Sequence, residues 1–207
     1  THILQQILSK LEESYFTFLT PTGFGSVFLA IFSVTRPGDE IIVADPVYSP
    51  TRLLSQDFLK EFNIKTTFYD PYDLKTLEKA ITNKTKLIFV ENPGSNTFEF
   101  QDLGKIISIA KKHKILTAID NTWGTPYFLK PIKLGFDMSI VSATKYYSGH
   151  SDVMGGSLAV NKKVFAKVKT AERVTGLRLG PDDAYLITRG LRTLDIRLDR
   201  HRENAKK

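Results

Sequence analysis

The chain has 207 residues, a formal net charge of +7 and no cysteine. That length suits one large hydrophobic core, or a large core with the start of a second domain. The absence of cysteine excludes disulfides, thiolate metal ligands and a cysteine nucleophile, and it favours a reducing, cytoplasmic location. No apolar run approaches the length of a membrane-spanning helix, and the first residues are typical of an amphipathic helix rather than a signal peptide, so we expect no membrane association.

The positive charge is spread in a way that does not favour a nucleic-acid partner. The basic residues of "NKKVFAKVKTAER" (161–173) are typical of a solvated helix face, and those of "RGLRTLDIRLDRHRENAKK" (189–207) alternate with Asp and Glu. Neither stretch interleaves aromatic with basic side chains as a base-stacking surface does. We therefore predict no nucleic-acid partner, and the charge is equally suited to attracting anionic metabolites.

Short apolar runs alternate along the chain with stretches of helical periodicity. After the N-terminal helix and a second apolar helix that opens at a glycine-rich turn, the predicted strands are 40–45, 65–70, 85–92, 115–121, "MSIVSAT" and "GGSLAVN", and the predicted helices are 49–62, 73–82 and 103–114. This alternation indicates crossover units and therefore an α/β fold, with a mostly parallel (mixed) sheet sandwiched by helices. The last two dozen residues are predicted to form one long amphipathic helix.

Polar segments follow three of the predicted strands directly. They are "ENPGS" (91–95), "DNTWGTPY" (120–127) and "SATKYYSGHSD" (142–152). Open parallel sheets bind ligands at the carboxyl ends of their strands. We therefore expect Asp120 and Lys145 at one rim of the sheet.

The glycine-rich turn "PTGFGS" (21–26) opens an apolar helix. Free N–H groups at a helix N-terminus form an anion site, and glycines permit close approach. The motif is neither a Walker loop nor Gly-x-Gly-x-x-Gly, and an ordinary N-capped helix is the alternative interpretation.

Asp120 ends a predicted buried strand, where a carboxylate is unfavourable unless it meets a cation or several hydrogen-bond donors. An Asx turn or a helix cap satisfies such a residue structurally. A metal ion or a protonated ring nitrogen satisfies it functionally. The nearby candidates Glu91, His150 and Asp152 do not form a recognisable ligand spacing with it, so we predict no metal site.

Lys145 is predicted to be buried at a strand end, which is rare for lysine. A desolvated amine is a nucleophile able to form a Schiff base, whereas a surface lysine is the alternative interpretation. The hydroxyls of Ser142 and Thr144 are placed to bind the same anion as the glycine-rich turn. An imine-forming amine, a carboxylate for a pyridinium nitrogen and a phosphate site are together what pyridoxal 5'-phosphate (PLP) requires.

Three segments resemble a known family at this point: "DNTW", "SATKYYSGHSDVMGG" and "RGLRTLDIRLDRHRENA". They are similar to the Cys/Met-metabolism family of PLP-dependent enzymes, which includes cystathionine lyases, cystathionine γ-synthase and methionine γ-lyase. "ENPGSNTFE" and "DPVYSPTR" resemble the bacterial cystathionine β-lyase branch more than the γ-branch. The resemblance covers essentially the whole chain and implies the large domain of the aspartate-aminotransferase (type I) fold.

The resemblance implies a role for each candidate residue. Lys145 binds the cofactor covalently and then shuttles protons, Asp120 pairs with the ring nitrogen, and Tyr48 stacks on the ring and assists proton transfer. The remaining implied positions are Gly23 and Phe24, whose backbone amides hold the phosphate with the hydroxyls of Ser142 and Thr144, and Ser95 and Trp123, which line the substrate pocket.

The resemblance also implies the wider context. Residues 1–183 are expected to form the PLP-binding domain, and 184–207 the start of a helix leading to a C-terminal domain, so the chain is expected to be truncated at both ends. We expect an amino-acid thioether substrate, α,β-elimination of cystathionine, and a homo-oligomer. The alternatives are a truncated or split-gene remnant that binds the cofactor without turnover, and a γ-synthase or γ-lyase. A set of polar residues is expected to be structural: His150, Asp152, Arg189, Arg192 and Arg197.

Overall fold

A single sheet organises the fold. The structure, a computed structural model, describes all 207 residues. The seven strands are β1 (Phe16–Thr20), β2 (Glu40–Ala44), β3 (Lys65–Tyr69), β4 (Thr85–Glu91), β5 (Leu116–Asp120), β6 (Met138–Ser142) and β7 (Gly156–Val160). Their spatial order is β1-β7-β6-β5-β4-β2-β3, and only β7 runs antiparallel to its neighbours. The predicted mostly parallel, mixed sheet is confirmed.

Helices flank this sheet. They are α1 (His2–Glu12), α2 (Gly23–Val34), α3 (Ser49–Leu53), α4 (Leu59–Glu61), α5 (Leu74–Ala80), α6 (Leu103–Lys112), α7 (Thr125–Phe128), α8 (Pro131–Leu134), α9 (Lys162–Thr175), α10 (Pro181–Leu191) and α11 (Leu194–Ala205). None of them combines the length and the apolar content that crossing a lipid bilayer requires. The strands and helices predicted between residues 40 and 121 are present with ends that differ by at most two residues, except in the helix discussed next.

Apart from the short helices α7 and α8, which were not predicted, the structure differs from the predicted elements in three places. The helix predicted over 49–62 is interrupted by a π-helical turn at Leu54–Phe58. The predicted final helix is two helices, because the backbone at its break forms i to i−3 hydrogen bonds, from Arg192 N to Arg189 O and from Thr193 N to Gly190 O. Strand β1 was not predicted, since two buried threonines interrupt the continuous apolar run that is typical of a strand buried on both faces.

Two apolar clusters hold the elements together. The larger one packs the strands against α2, α5, α6 and α9. The smaller one joins α1, α10 and α11 to the segment between β6 and β7, residues 143–155, which we call the lysine turn. Tyr147 in this turn is fully buried in the smaller cluster.

Gly190 in α10 lies directly against the lysine turn. A Cβ atom at that position would collide with the carbonyl oxygens of Tyr147 and Ser148. The residues after 183 therefore pack behind the turn that carries Lys145, and the domain boundary at residue 183 stays a prediction.

Candidate functional site

A cavity of about 1510 Å³ lies where the parallel strands β4, β5 and β6 end. Its walls come from these strand ends, the N-terminus of α2, the lysine turn and α11. The nine residues that the sequence assigns to the site all line it: Gly23, Phe24, Tyr48, Ser95, Asp120, Trp123, Ser142, Thr144 and Lys145. The fold thus brings together residues that are more than a hundred positions apart in the chain, at the carboxyl ends of the parallel strands, where such sheets bind ligands.

The N-terminus of α2 offers two free backbone donors. The side chain of the N-cap residue Thr22 accepts a hydrogen bond from Gly25 N at 2.9 Å. The N–H groups of Gly23 and Phe24 have no acceptor within the chain. A Cβ atom at Gly23 would lie 2.5 Å from Ser142 Oγ, so only glycine lets the helix approach the end of β6 this closely. Free amides and a hydroxyl therefore converge on one small space, as an anion site requires.

The two hydroxyls flanking Ala143 differ in what they already bind. Ser142 Oγ makes no hydrogen bond within the chain, whereas Thr144 Oγ1 donates to Gly155 O at 3.2 Å and accepts from Gly155 N at 3.1 Å. An anion therefore finds the Ser142 hydroxyl free. It would have to displace the Gly155 carbonyl to gain the proton of Thr144.

Lys145 lies on the lysine turn, three residues beyond the end of β6. Its backbone N donates to Ser142 O at 3.1 Å, and the turn is fixed by Arg197, whose guanidinium donates to Tyr146 O at 2.8 Å. The prediction that the lysine side chain is buried is wrong, because it is exposed to the wide cavity. Its Nζ atom forms no salt bridge, so the amine is available to a ligand.

Asp120 and Glu91 form a carboxyl pair at the ends of adjacent strands. They are directly opposite in the β4–β5 register. Asp120 Oδ1 accepts from Thr122 N at 3.0 Å, and Glu91 Oε2 accepts from Tyr48 N at 2.7 Å. Burial raises the pKa of Glu91 to about 7, with a further contribution from the charge of Asp120, and burial also raises the pKa of Asp120. Each carboxyl has few donors and no cation, which predisposes the pair to bind one.

Glu91 is a site residue that the sequence analysis considered only as a possible metal ligand. The signal was available, since Glu91 and Asp120 both end predicted parallel strands. Sequence alone, however, does not give the register that sets them side by side.

Aromatic side chains border the open part of the cavity. Tyr48 is 49% exposed and Trp123 is 53% exposed, so each presents a ring to the cavity rather than to the core. Ser95 is held by its backbone N, which donates to Pro46 O at 2.6 Å. Phe100 packs edge-to-face on Trp123, with ring centroids 6.4 Å apart.

The residues expected to be structural mostly make contacts within the chain. The ring of His150 contacts Ser148 O through Nδ1 at 2.6 Å, and Asp152 forms an ion pair with Arg189. Arg197 donates to Tyr146 O in the lysine turn and to Gly190 O in α10, and Arg192 is exposed at the end of α10. Asp152 and Arg197 also line the cavity, so their contacts shape its wall.

The sequence matches the family described as Cys/Met metabolism PLP-dependent enzyme over residues 1–207. The chain belongs to this family. Its cofactor is PLP, in agreement with the prediction.

Relatives within the Cys/Met metabolism family carry several names. A putative cystathionine beta-lyase from Rhizobium johnstonii is 40% identical over 99% of this chain and 52% of its own length. An L-methionine gamma-lyase from Pseudomonas putida is 33% identical over 99% of this chain and 52% of its own length. The crystal structure of a putative O-acetylhomoserine (thiol)-lyase from Campylobacter jejuni, with N'-pyridoxyl-lysine-5'-monophosphate, superimposes with a TM-score of 0.93 at 31% identity, covering 99% of this chain and 59% of that one. The chain spans about half the length of these curated relatives.

The site fits the family's cofactor. The close approach at Gly23 leaves two amides and the Ser142 hydroxyl facing one space, which suits a phosphate. The carboxyl pair lacks a cation, which suits a protonated ring nitrogen, and the free amine of Lys145 suits an aldehyde. These three groups line a single cavity.

Proposed function

We propose that this chain forms the PLP-binding part of a carbon–sulfur lyase that acts on cystathionine by α,β-elimination. One observation carries the proposal, namely that Lys145 and Asp120 line the same cavity as the free amides of α2. The relatives named cystathionine beta-lyase, at 35% to 40% identity, favour this reaction within the family. The products would be homocysteine, pyruvate and ammonia.

Each residue at the rim has one task in this proposal. The amides of Gly23 and Phe24 and the hydroxyl of Ser142 bind the phosphate, with Thr144 next to them. Asp120 faces the ring nitrogen and holds its proton in place, because a carboxylate stabilises the cationic form. Tyr48 covers one face of the ring. Ser95 and Trp123 contact the substrate.

Lys145 performs the proton transfers. Bound PLP supplies an electron-accepting ring that takes up the electron pair left when a Cα–H bond breaks. Lys145 would hold the cofactor through its Nζ atom, and once a substrate amine occupied that place the freed Nζ atom would accept the Cα proton. The Cβ–S bond breaks with its electron pair on sulfur, and the thiolate leaves. The Tyr48 hydroxyl assists these proton transfers by donating a proton.

The wider assembly is also part of the proposal. Residues 1–183 act as the PLP-binding domain, and residues 184–207 begin the helical connection to a C-terminal domain. An amino-acid thioether is the substrate, and the protein works as a homo-oligomer.

Covalent labelling of Lys145 tests the proposed function. The chain is incubated with PLP, reduced with borohydride and digested, and mass spectrometry should find the pyridoxyl group on the peptide that contains Lys145. Lys145→Ala should abolish the label and lower any pyruvate release from cystathionine by at least about 10²–10⁴-fold. Lys105→Ala, which removes an exposed lysine of α6, is the matched control and should leave both unchanged.

The products separate the possible outcomes. Label and pyruvate together support the β-lyase. Label without pyruvate supports a chain that binds the cofactor only, and 2-oxobutyrate from methionine or cystathionine supports a γ-lyase instead. Label spread over several lysines overturns the assignment of Lys145.

A further inference from the structure

Glu91 connects the segment that carries Tyr48 with the strand that carries Asp120. Its carboxylate accepts a hydrogen bond of 2.7 Å from the backbone N of Tyr48, the residue that precedes α3. Its backbone lies opposite Asp120 in the sheet, and its side chain lines the same cavity. No other hydrogen bond reaches the backbone N of Tyr48.

The backbone of Glu91 is itself held firmly. Its carbonyl oxygen accepts from Gln101 Nε2 at 2.9 Å, and Gln101 in turn accepts a bond from the buried hydroxyl of Tyr69 through Oε1. Glu91 is therefore a fixed point between the sheet and the loop that carries Tyr48.

We propose that Glu91 is a positioning residue that anchors Tyr48 over the cofactor ring and shares one exchangeable proton with Asp120, a proton released when a ring cation binds. This inference rests on the roles of Asp120 and Tyr48 in the proposed function. It adds a second carboxyl to the site and gives cofactor binding a dependence on pH.

Few charged groups face Glu91. Asp120 approaches from β5, and its charge acts directly on the carboxyl of Glu91. Lys145 lines the same cavity from the lysine turn. From the start of α3, Tyr48 presents its N–H group, and from the loop that follows β4, Ser95 presents a hydroxyl. Two acids thus face one another without a cation between them.

The direction of the proton linkage follows from these charges. Burial and the neighbouring Asp120 raise the pKa of Glu91 to about 7, so Glu91 carries a proton below that pH when the site holds no cation. A ring cation beside Asp120 cancels the second of these causes, the charge of Asp120, and so lowers the pKa of Glu91, which favours release of its proton. Binding that releases a proton strengthens as the pH rises. Ionisation of Glu91 should therefore strengthen PLP binding as the pH rises to about 7, and it should add nothing more above that pH.

Trp123 provides a direct measure of binding. It is the single tryptophan of the chain and lines the cavity, so its fluorescence should be quenched by PLP. Titrations are compared for the unaltered chain and two variants. Glu91→Gln keeps a carbonyl acceptor for Tyr48 N but cannot ionise, and Glu91→Met has a similar volume and only a weak thioether acceptor. Glu78→Gln, an exposed carboxylate of α5 far from the cavity, is the control.

Two results are expected. Glu91→Met should weaken PLP binding about tenfold at about pH 6, because Tyr48 N loses its acceptor, and by a larger factor at about pH 8, because Met cannot ionise either. Glu91→Gln should bind close to normally at about pH 6, and the ratio of its Kd to that of the unaltered chain should rise about tenfold by about pH 8. The cofactor's own titration cancels in this ratio, since both proteins meet the same ligand.

A ring analogue sharpens the test. With a carbocyclic analogue of PLP that has carbon in place of the ring nitrogen, no cation is delivered to Asp120, and the ratio for Glu91→Gln should stay flat with pH. A flat ratio with PLP itself, or a Glu91→Met chain that binds as well as the control, would overturn the role of Glu91 and leave the proposed function intact. Failure of the unaltered chain to bind PLP would overturn the proposed function first.

Discussion

Two carboxylates at opposite ends of neighbouring strands differ in how many hydrogen-bond donors and cations the chain supplies to them. Asp137, just before β6, accepts bonds from Thr117 N at 3.0 Å and Asn161 Nδ2 at 2.9 Å, and Lys163 Nζ lies 3.4 Å away. Asp120, at the end of β5, has a single residue, Thr122, as its donor, and its pKa is raised by burial. The chain itself satisfies the first carboxylate completely. The chain leaves the Asp120 carboxyl to be satisfied by a ligand. This difference separates a structural acid from a functional one.

Removing each carboxylate in turn should change the stability in opposite directions. Asp137→Ala leaves the buried Thr117 N and the half-buried Asn161 Nδ2 without this acceptor and should lower the free energy of unfolding by about 3 kcal/mol. Asp120→Ala removes a poorly paired carboxyl, so without cofactor it should raise that free energy by about 1 kcal/mol, while PLP affinity falls. Urea denaturation of the cofactor-free proteins measures both. An equal loss of unfolding free energy in the two variants would contradict the assignment of Asp137 as structural and Asp120 as functional.

A third acid extends the comparison to the interior. Glu12 in α1 is fully buried. Its Oε1 accepts one long bond of 3.4 Å from the Tyr147 hydroxyl, and its Oε2 has no partner. Burial raises its pKa from 4.5 to about 7.

The unfolded chain therefore loses the Glu12 proton at a lower pH than the folded chain does. Stability should decrease by about 3 kcal/mol as the pH rises from about 4.5 to about 7, and should change little from this source outside that window. Glu12→Gln should abolish this decrease. Glu13→Gln, at the adjacent exposed carboxylate that pairs with Lys130, should retain it. Chemical denaturation at several pH values is the measurement, and an identical pH dependence in the two variants would contradict the assignment.

The smallest expected effect distinguishes two neighbouring hydroxyls. Ser142→Ala removes a hydroxyl without a partner and should weaken PLP binding about fivefold with little change in stability. Thr144→Val removes the partner of the Gly155 N–H and should instead lower the free energy of unfolding by about 1 kcal/mol. Titration and urea denaturation of both variants give the comparison. A reversed pattern would show that Thr144 is the main phosphate ligand.

The sequence predicted the rim of the site well, and for a physical reason. Buried parallel strands appear as unbroken apolar runs, so "KLIFV" and "ILTAI" showed where β4 and β5 end and hence where Asp120 lies. The glycine-rich turn was likewise visible, since a helix N-terminus near an anion needs small residues. These signals are local, and each depends on a few adjacent residues.

The features that sequence missed depend on neighbours that are distant in the chain. The pairing of Glu91 with Asp120 follows from the sheet register, and the exposure of Lys145 follows from the width of a cavity, neither of which leaves a periodic pattern. The break between α10 and α11 was hidden because the apolar spacing of Ile187, Leu194 and Leu198 continues across it. Local patterns cannot report a volume or a register.

The pairing of β1 with β7 has a consequence for synthesis on the ribosome. Thr20 pairs with Gly156, although most of the chain lies between them, and α2 follows directly from β1. Such long-range closure is slow and comes late in folding. A nascent polypeptide halted before Gly156 would contain every residue proposed to touch the cofactor, yet it would lack the strand that seats the glycine-rich turn beside the sheet.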